Sequence, residues 1–490
     1  MPSSTIPAKY LSKSSFMAGL DCPRKLWQLL WDRDSATSND GMAQLILEYG
    51  NRFGQLAHSL FPNGTLIDID IINLNKAVED TRQAIVAGAE VILEATFCHG
   101  RCRILADIIE KQPDGSWHLI EVKSSTRIKD EHIPDLAYQK WVMEQSGYPV
   151  SRCSVIHANT NGIWPDVSSI FSSVDVTSQV DEAVPIVTDN VKIFLTLTNP
   201  GCTAPVPRAH LSKRCHDCNF KKTVCWKDID KPTIYDVIHA TKIPTLEEMD
   251  ILYLHDIPDD FNLNARDRKN VTRINSEATD IDLNAIKLML NQLEYPIYFL
   301  DFESIAVAVP LFNGNRPWEK LAFQYSLHIM EEDGQVRHIE YLHEESTDPS
   351  LDIARRLAQD IGEHGSIVVY HANMEKGVLE YLRDKFSQHA ISLQSMIDRL
   401  WDLELIFKNH YRHWKFGSKS SIKVVLPNLI PDLSYKDLEI QEGGAASWNW
   451  LQMIESGDAE AKRSMAEALK KYCERDTWAM VALLQLVMEV

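Results

Sequence analysis

No stretch of this 490-residue sequence approaches about 18 consecutive apolar residues, the length that a helix needs to cross a bilayer. The opening residues, MPSSTIPAKYLSKSSF, lack the apolar segment of a secretory signal. No repeat of roughly 20–50 residues recurs along the chain, which excludes solenoids and propellers. Glycine (20) and proline (21) are held to ordinary shares, so the chain is neither collagen-like nor low-complexity. Cysteine is sparse and odd in number, nine in all. Without an export signal these nine read as reduced thiols or metal ligands rather than disulfides, and the whole reads as cytoplasmic, with no membrane partner. Basic charge is also short: 50 Lys and Arg stand against 69 Asp and Glu, net −19. That excludes a protein that binds nucleic acid through bulk charge.

What is present is an ordinary globular composition, 44% hydrophobic and 24% charged, on a chain too long for one core. The expected class is α/β. Residues 1–230 alternate helical and strand patterns and end in a cysteine cluster. Residues 231–293 read as a helical connector, with IPTLEEMDILYLHDIP and IDLNAIKLMLNQL as short helices. Residues 294–490 open on the strand PIYFLDFES and continue in a βαβ-like rhythm. Two local strips run against the acidic balance. Arg208, Lys213, Arg214, Lys221, Lys222 and Lys227 face one Asp between Pro207 and Lys227, and five basic residues face two acidic ones between Trp401 and Lys423. Such strips suit a channel for a polyanion or an ordinary solvated surface.

Three constellations carry chemistry. In the first, RILADII and WHLIEVK read as strands joined by Gln112-Pro113-Asp114-Gly115-Ser116, whose Pro-Asp-Gly order suits a type I turn followed by a left-handed residue. Pairing Gln112 with Ser116 puts Asp107 opposite Glu121, and Lys123 shares their face two residues on. Two carboxylates and a lysine on one face suit metal-assisted phosphodiester cleavage, with Mg²⁺ or Mn²⁺ on the carboxylates. A surface ion pair is the plain alternative. A helix from about Asp130 to Gly147 follows, carrying Tyr138 and Gln139 and stopping before Pro149.

The block ADII…LIEVKSST…DLAYQKWV resembles the core of RecB-type nucleases of the PD-(D/E)xK superfamily. That resemblance implies catalytic roles for Asp107, Glu121, Lys123 and Gln139. It also implies an upstream ligand, for which Glu48 and His58 are the candidates.

The second constellation is Cys215-x2-Cys218-x6-Cys225, in which the tight CxxC turn converges two thiolates. Cys22, in GLDCPRKLW, is the natural fourth ligand, with His216 as a substitute. One early and three late cysteines around a RecB-type core resemble the iron–sulfur nucleases and imply a 4Fe-4S cluster; a structural Zn²⁺ on the same residues is the alternative. Cys98, Cys102, Cys153, Cys202 and Cys473 lack ligand spacing and are expected to be small buried residues.

In the third, Asp301 and Glu303 lie two apart on an apolar strand, SIVVYHAN leads into a helix bearing Glu375, and Tyr472 and Asp476 stand one helical turn apart. Adjacent carboxylates on an apolar strand are costly without a cation. The order resembles DEDDy exonucleases of the RNase H-like fold, which implies Asp301, Glu303, Glu375 and Asp476 as metal ligands and Tyr472 as a water positioner. Most of that family has Asp where this chain has Glu375, and Asp402 is a possible substitute ligand. Between these motifs, KFGSKSSIK offers Lys415, Ser418, Lys419 and Lys423 to phosphates. It lacks the order of an NTP-binding loop.

Together the resemblances cover nearly the whole chain and imply a bacterial fusion of a RecB-like PD-(D/E)xK domain with a four-cysteine metal cluster, a helical connector and an RNase H-like DEDD exonuclease domain. The expected function is a metal-dependent nuclease acting on DNA, single-stranded or at ends, in repair or defence. The alternatives are an RNA-directed exonuclease, or a nucleic-acid-binding scaffold or end sensor with one degenerate site. A weaker third is an iron–sulfur redox protein. With no helicase motif in the sequence, unwinding would fall to a partner.

Overall fold

Two tight hairpin loops of the same design organise the sheets. In a computed structural model, Gln112 N–H donates to Ser116 O at 2.8 Å and Gly115 N–H to Gln112 O at 2.9 Å. Gly115 adopts φ +85°, a left-handed conformation that a Cβ would strain, and the Asp114 carboxylate accepts from Ser116 N–H. The loop Glu331–Gln335 repeats the pattern, with Gly334 at φ +84° and Glu331 N–H bonded to Gln335 O at 2.9 Å. The structure describes residues 9–37, 41–70, 73–199, 206–207, 212, 215 and 218–490. Among these, no helix is long and apolar enough to cross a membrane.

The chain is mixed α/β and divides into two compact units. The first comprises residues 1–38, 46–229 and 307–319; the second comprises 39–45, 230–306 and 320–490. The expected connector, 231–293, is therefore not a unit of its own. Its apolar residues (among them Ile234, Leu246, Leu254, Val271 and Ile274) do form a small core. However, its strand β8 (Thr279–Ile281) pairs antiparallel with β14 (Tyr411–His413), and this ties it to the second unit.

The first unit is built on a seven-stranded sheet of β1 (Leu11–Ser12), β2 (Thr65–Leu66), β3 (Val91–His99), β4 (Cys102–Lys111), β5 (Trp117–Lys123), β6 (Val150–Ala158) and β7 (Phe171–Asp175). The order is β2-β3-β4-β5-β6-β7, with β1 parallel to the start of β4. Strands β4 and β5 run antiparallel and β5 and β6 parallel. The crossover between the parallel pair is the helix His132–Gln145, as a parallel pair requires. It ends where Gly147 turns to φ +90° ahead of Pro149. That helix is buried on most sides, and Tyr138 stacks on Phe16 with ring centroids 4.3 Å apart. Cys102 and Cys153 lie in this unit's core. Cys98, expected inside, is only half-buried at the exposed end of β3, and Cys202 and His216 lie outside the described residues.

The second unit holds a five-stranded sheet in the order β11-β10-β9-β12-β13, from β9 (Ile297–Ile305), β10 (Leu321–Met330), β11 (Val336–Leu342), β12 (Ile367–Val369) and β13 (Leu400–Asp402). The β9, β10 and β11 strands are antiparallel neighbours; β12 and β13 add in parallel. Every residue of β10 is buried, as a central strand covered on both faces should be. The 30-residue helix Ala459–Met488 packs along β9 and β10 through Leu469, Tyr472, Cys473, Asp476 and Thr477.

Candidate functional site

In the first unit, the register Ile108 to Ile120 and Ile109 to Leu119 carries Asp107 to the position opposite Glu121. The hairpin thus gathers the residues that its turn chemistry predicts. Glu121, 1% exposed, accepts at one oxygen from Lys123 Nζ (2.6 Å) and Lys13 Nζ (2.8 Å), and at the other from Gln139 Nε2 (2.6 Å). Lys123 also donates to Asp135 at 2.7 Å, and Asp107 accepts from Val122 N–H at 2.7 Å. Burial pushes Asp107 up and the neighbouring Glu121 charge adds to this, so its carboxyl stands at about 7. Burial acts on Glu121 too, but Lys13 and Lys123 outweigh it and hold that carboxyl down to about 2. One carboxylate is firmly charged while its neighbour sits near neutrality, a division that acid–base sites use.

Two members of this cluster were not foreseen. Asp135 lies one turn before Gln139 and carries no local signal beyond that i,i+4 spacing. Lys13 arrives from 108 residues upstream. Of the two upstream candidates, Glu48 pairs with Arg52. His58 Nε2 instead lies 3.3 Å from Glu94, and Glu94 interrupts β3 at φ +58° where the register would face it to Asp107.

The four cysteines of the second constellation are all free thiols. Cys22 sits between the helices Lys13–Asp21 and Pro23–Trp31. Ser212 N–H donates to Cys215 Sγ at 3.4 Å, and Cys225 closes the turn Lys221–Cys225. The Cys225 thiol is pushed up by burial, then by Cys218, with Cys215 and Cys22 adding and Arg24 opposing. All three partners therefore act on it. Among the described residues, no three of these sulfurs lie within 4.8 Å of one another.

In the second unit, ligand oxygens of Asp301, Glu303 and Asp476 all lie within 4.8 Å of one another. Burial pushes Asp301 and Glu303 well above the usual carboxylate range, and mutual repulsion with Asp476 adds to it. Asp476 rises to about 6 through burial, although hydrogen bonds from Tyr435 and Tyr472 and the Lys423 charge pull the other way. Glu375, 2% exposed, stands outside this group but acts electrostatically on Asp301 and Glu303. Burial, with Asp402 adding, raises it to about 8, and its Oε2 has no hydrogen-bond partner. A buried oxygen without a donor, beside three clustered carboxylates answered by one lysine, is what a hard cation would relieve.

Tyr472 OH accepts from Lys423 Nζ at 3.2 Å, which moves Lys423 from the expected phosphate loop to the carboxylate group. Lys415 and Lys419 are exposed, and Ser418 Oγ donates to Asp236 O. Asp402, the substitute candidate, spends its carboxylate on His371, Ala372 and Glu404 N–H groups and takes no part in the ligand group. Sequence reasoning missed Tyr435, which hydrogen-bonds Asp476, and Cys473, whose Sγ lies 3.7 Å from Asp301. A further set, His328, His338 and Glu474, also brings its ligand atoms within 4.8 Å. There the rings stack at 4.4 Å and bond Ser326 and Thr477, as a packed polar cluster does.

Residues 298–421 match the family model of DUF2779, a domain of unknown function. The match holds Asp301, Glu303 and Glu375 and stops before Tyr472 and Asp476. Among curated proteins, the chain is similar to Uncharacterized protein MG366 of Mycoplasma genitalium, 24% identical over 227 residues that are 42% of this chain and 34% of that protein. Its homolog in Mycoplasma pneumoniae is 26% identical over 220 residues, 41% of this chain and 33% of the other. The chain thus spans about a third of the length of these relatives. Among solved structures, one described as the crystal structure of SSO0001 aligns at 15% identity over 43% of this chain and 95% of its own, with a TM-score of 0.18, too slight a likeness to speak for the fold.

Proposed function

We propose that the protein is a metal-dependent nuclease with two hydrolytic sites, a RecB-like one in the first unit and an RNase H-like exonuclease site in the second. The observation that carries this reading is the convergence of Asp301, Glu303 and Asp476 within 4.8 Å on buried elements, with Glu375 in electrostatic range. Buried carboxylates at this spacing, with oxygen donors only, fit Mg²⁺ or Mn²⁺. A bound divalent cation there supplies charge neutralisation and an activated water. The chain's own part is to hold the carboxylates apart from solvent and, through Tyr472 and Lys423, to fix a proton-bearing hydroxyl beside them. In the first unit Asp107 and Glu121 would hold the cation, Lys123 would steady charge on a phosphate, and Gln139 would orient Glu121.

DNA is the substrate of this reading, with RNA as the second choice for the exonuclease site. Cys22, Cys215, Cys218 and Cys225, all free thiols, would hold a 4Fe-4S cluster, with a structural zinc on the same residues as the alternative. The test is a time course with anaerobically purified protein, Mn²⁺, and end-labelled linear and closed-circular single-stranded DNA. Asp107→Ala and Asp301→Ala are each expected to remove a separable activity; one variant abolishing all product contradicts two independent sites. The position of Glu375 outside the ligand group favours one other reading, a strand-binding scaffold with a degenerate second site. On that reading strand affinity persists and Asp301→Ala changes no product.

A further inference from the structure

Away from the carboxylates, the second unit contains a cavity of about 750 Å³ between the helix Ala265–Asn275 and the β8–β14 ribbon. Its lining includes Arg266, Lys269, Arg273, Lys408 and Arg412. Two carboxylates share the wall. Asp282 caps the helix Leu283–Leu290 through Ala285 N–H, and Asp280, half exposed, stands 3.7 Å from Arg273. The guanidiniums are therefore held mainly by neutral groups. Arg412 donates to the carbonyls of Phe407, Gly417 and Lys419. Arg273, 4% exposed, donates to Asn270 Oδ1 and Gly417 O, and its Nε has no partner. Burying charge with so little compensation is costly unless an anion completes the site. Burial, then the charges of Arg273 and Arg266, push Arg412 down to about 10, with Asp280 opposing.

Converging guanidiniums recognise tetrahedral oxyanions through paired N–H donors, and the volume suits a nucleotide-sized group rather than a lone ion. Ser418 and Ser420 line the same wall, so the Gly/Ser/Lys segment singled out in the sequence contributes here and not only at the carboxylates.

We propose that this cavity is a phosphate-binding pocket that takes backbone phosphates of a nucleic-acid strand, outside the hydrolytic site of the same unit. The strand as the source of phosphate rests on the nuclease reading; the selectivity for phosphate does not. The probe is fluorescein-labelled oligothymidylate, titrated into the full chain without divalent metal and at several salt concentrations. The variant Lys269→Glu/Lys408→Glu changes two exposed side chains and leaves the buried arginines in place. It is expected to weaken binding at least tenfold and to flatten the salt dependence by about 1.4, the share of two contacts on a single strand.

Unchanged affinity and slope overturn the proposal. Calorimetry with inorganic phosphate separates the sources. If the oligonucleotide does not bind but phosphate does, and the variant loses it, the pocket stands and the strand is overturned. Binding of neither probe by the unaltered protein overturns the pocket itself. Should Mn²⁺-dependent cleavage be absent while strand binding still depends on Lys269 and Lys408, the nuclease reading fails and the pocket survives.

Discussion

The two carboxylate clusters solve the same electrostatic problem in opposite ways. In the first unit, Lys13 and Lys123 neutralise Glu121 and Lys123 also reaches Asp135, which leaves Asp107 as the one carboxyl of that cluster raised to about 7. In the second, Lys423 is the one cation acting on Glu303 and Asp476, and protons on the buried carboxyls make up the difference. A site that supplies its own cations is preorganised without metal. One that stores protons instead must release them when metal enters, so its affinity for metal is tied to pH.

The sharpest break of this contrast comes from the strand residue Asp301. Asp301→Asn is expected to cut exonucleolytic product on linear DNA on the order of a thousandfold, the scale on which preorganised charge acts in catalysis, while leaving cleavage of circles intact. Next is Lys13→Met, which leaves a buried Glu121 with one cation fewer. It should destabilise the first unit by about 3 kcal/mol in urea unfolding and spare the second, as read by hydrogen exchange in peptides from β5 and β9.

The contrast also predicts a pH signature. Glu375 moves from an ordinary 4.5 to about 8, so the folded second unit holds a proton that the unfolded chain releases. The stability linked to it is complete below the ordinary value and falls as pH rises toward 8. Mn²⁺ should restore it, and by more at pH 8 than at pH 6, in thermal unfolding followed by exchange at β9. In the first unit Glu121, held at about 2, adds no such slope. Asp107, raised from an ordinary 3.8 to about 7, carries a loss of its own that is complete by about pH 7, so only the second unit should still be losing stability between pH 7 and 8. The smallest effect belongs to Tyr435→Phe. Losing a hydrogen bond to a charged group costs about 2 kcal/mol, and because that bond lowers Asp476, the pH–rate profile of the exonuclease should move to higher pH.

How much of this was legible follows the range of each interaction. Asp107, Glu121 and Lys123 were legible because a five-residue turn sets the strand register, while Gln139 was implied only by the resemblance to RecB-type nucleases. Asp301 and Glu303 stood out as carboxylates two apart on an apolar strand, whereas Asp476, among Glu474, Arg475 and Thr477, stood out only through its spacing from Tyr472 and the resemblance that this order carries. Lys13 was not legible, since nothing local to KYLSKSSF marks a lysine as the partner of a glutamate 108 residues on. The connector misled for the same reason. Its short helices carry their own apolar cluster, which looks autonomous until the pairing of Tyr411 with Ile281 is seen. Lys423 had the right chemistry but the wrong address, because the segment from Lys415 leads into the helix Ile422–Leu429 before reaching Tyr472.

Finally, the helix Ala459–Met488 supplies Asp476 to a group begun by Asp301, 175 positions earlier in the chain. At roughly 5–20 residues per second of synthesis, the ribosome needs about 10 to 35 seconds to travel between them. Throughout that interval the nascent chain already displays the first unit's strands, while the second unit's carboxylates lack a member. Any product cut short before Asp476, by a broken message or a stalled ribosome, would leave the cell with the first cluster assembled and the second unable to close.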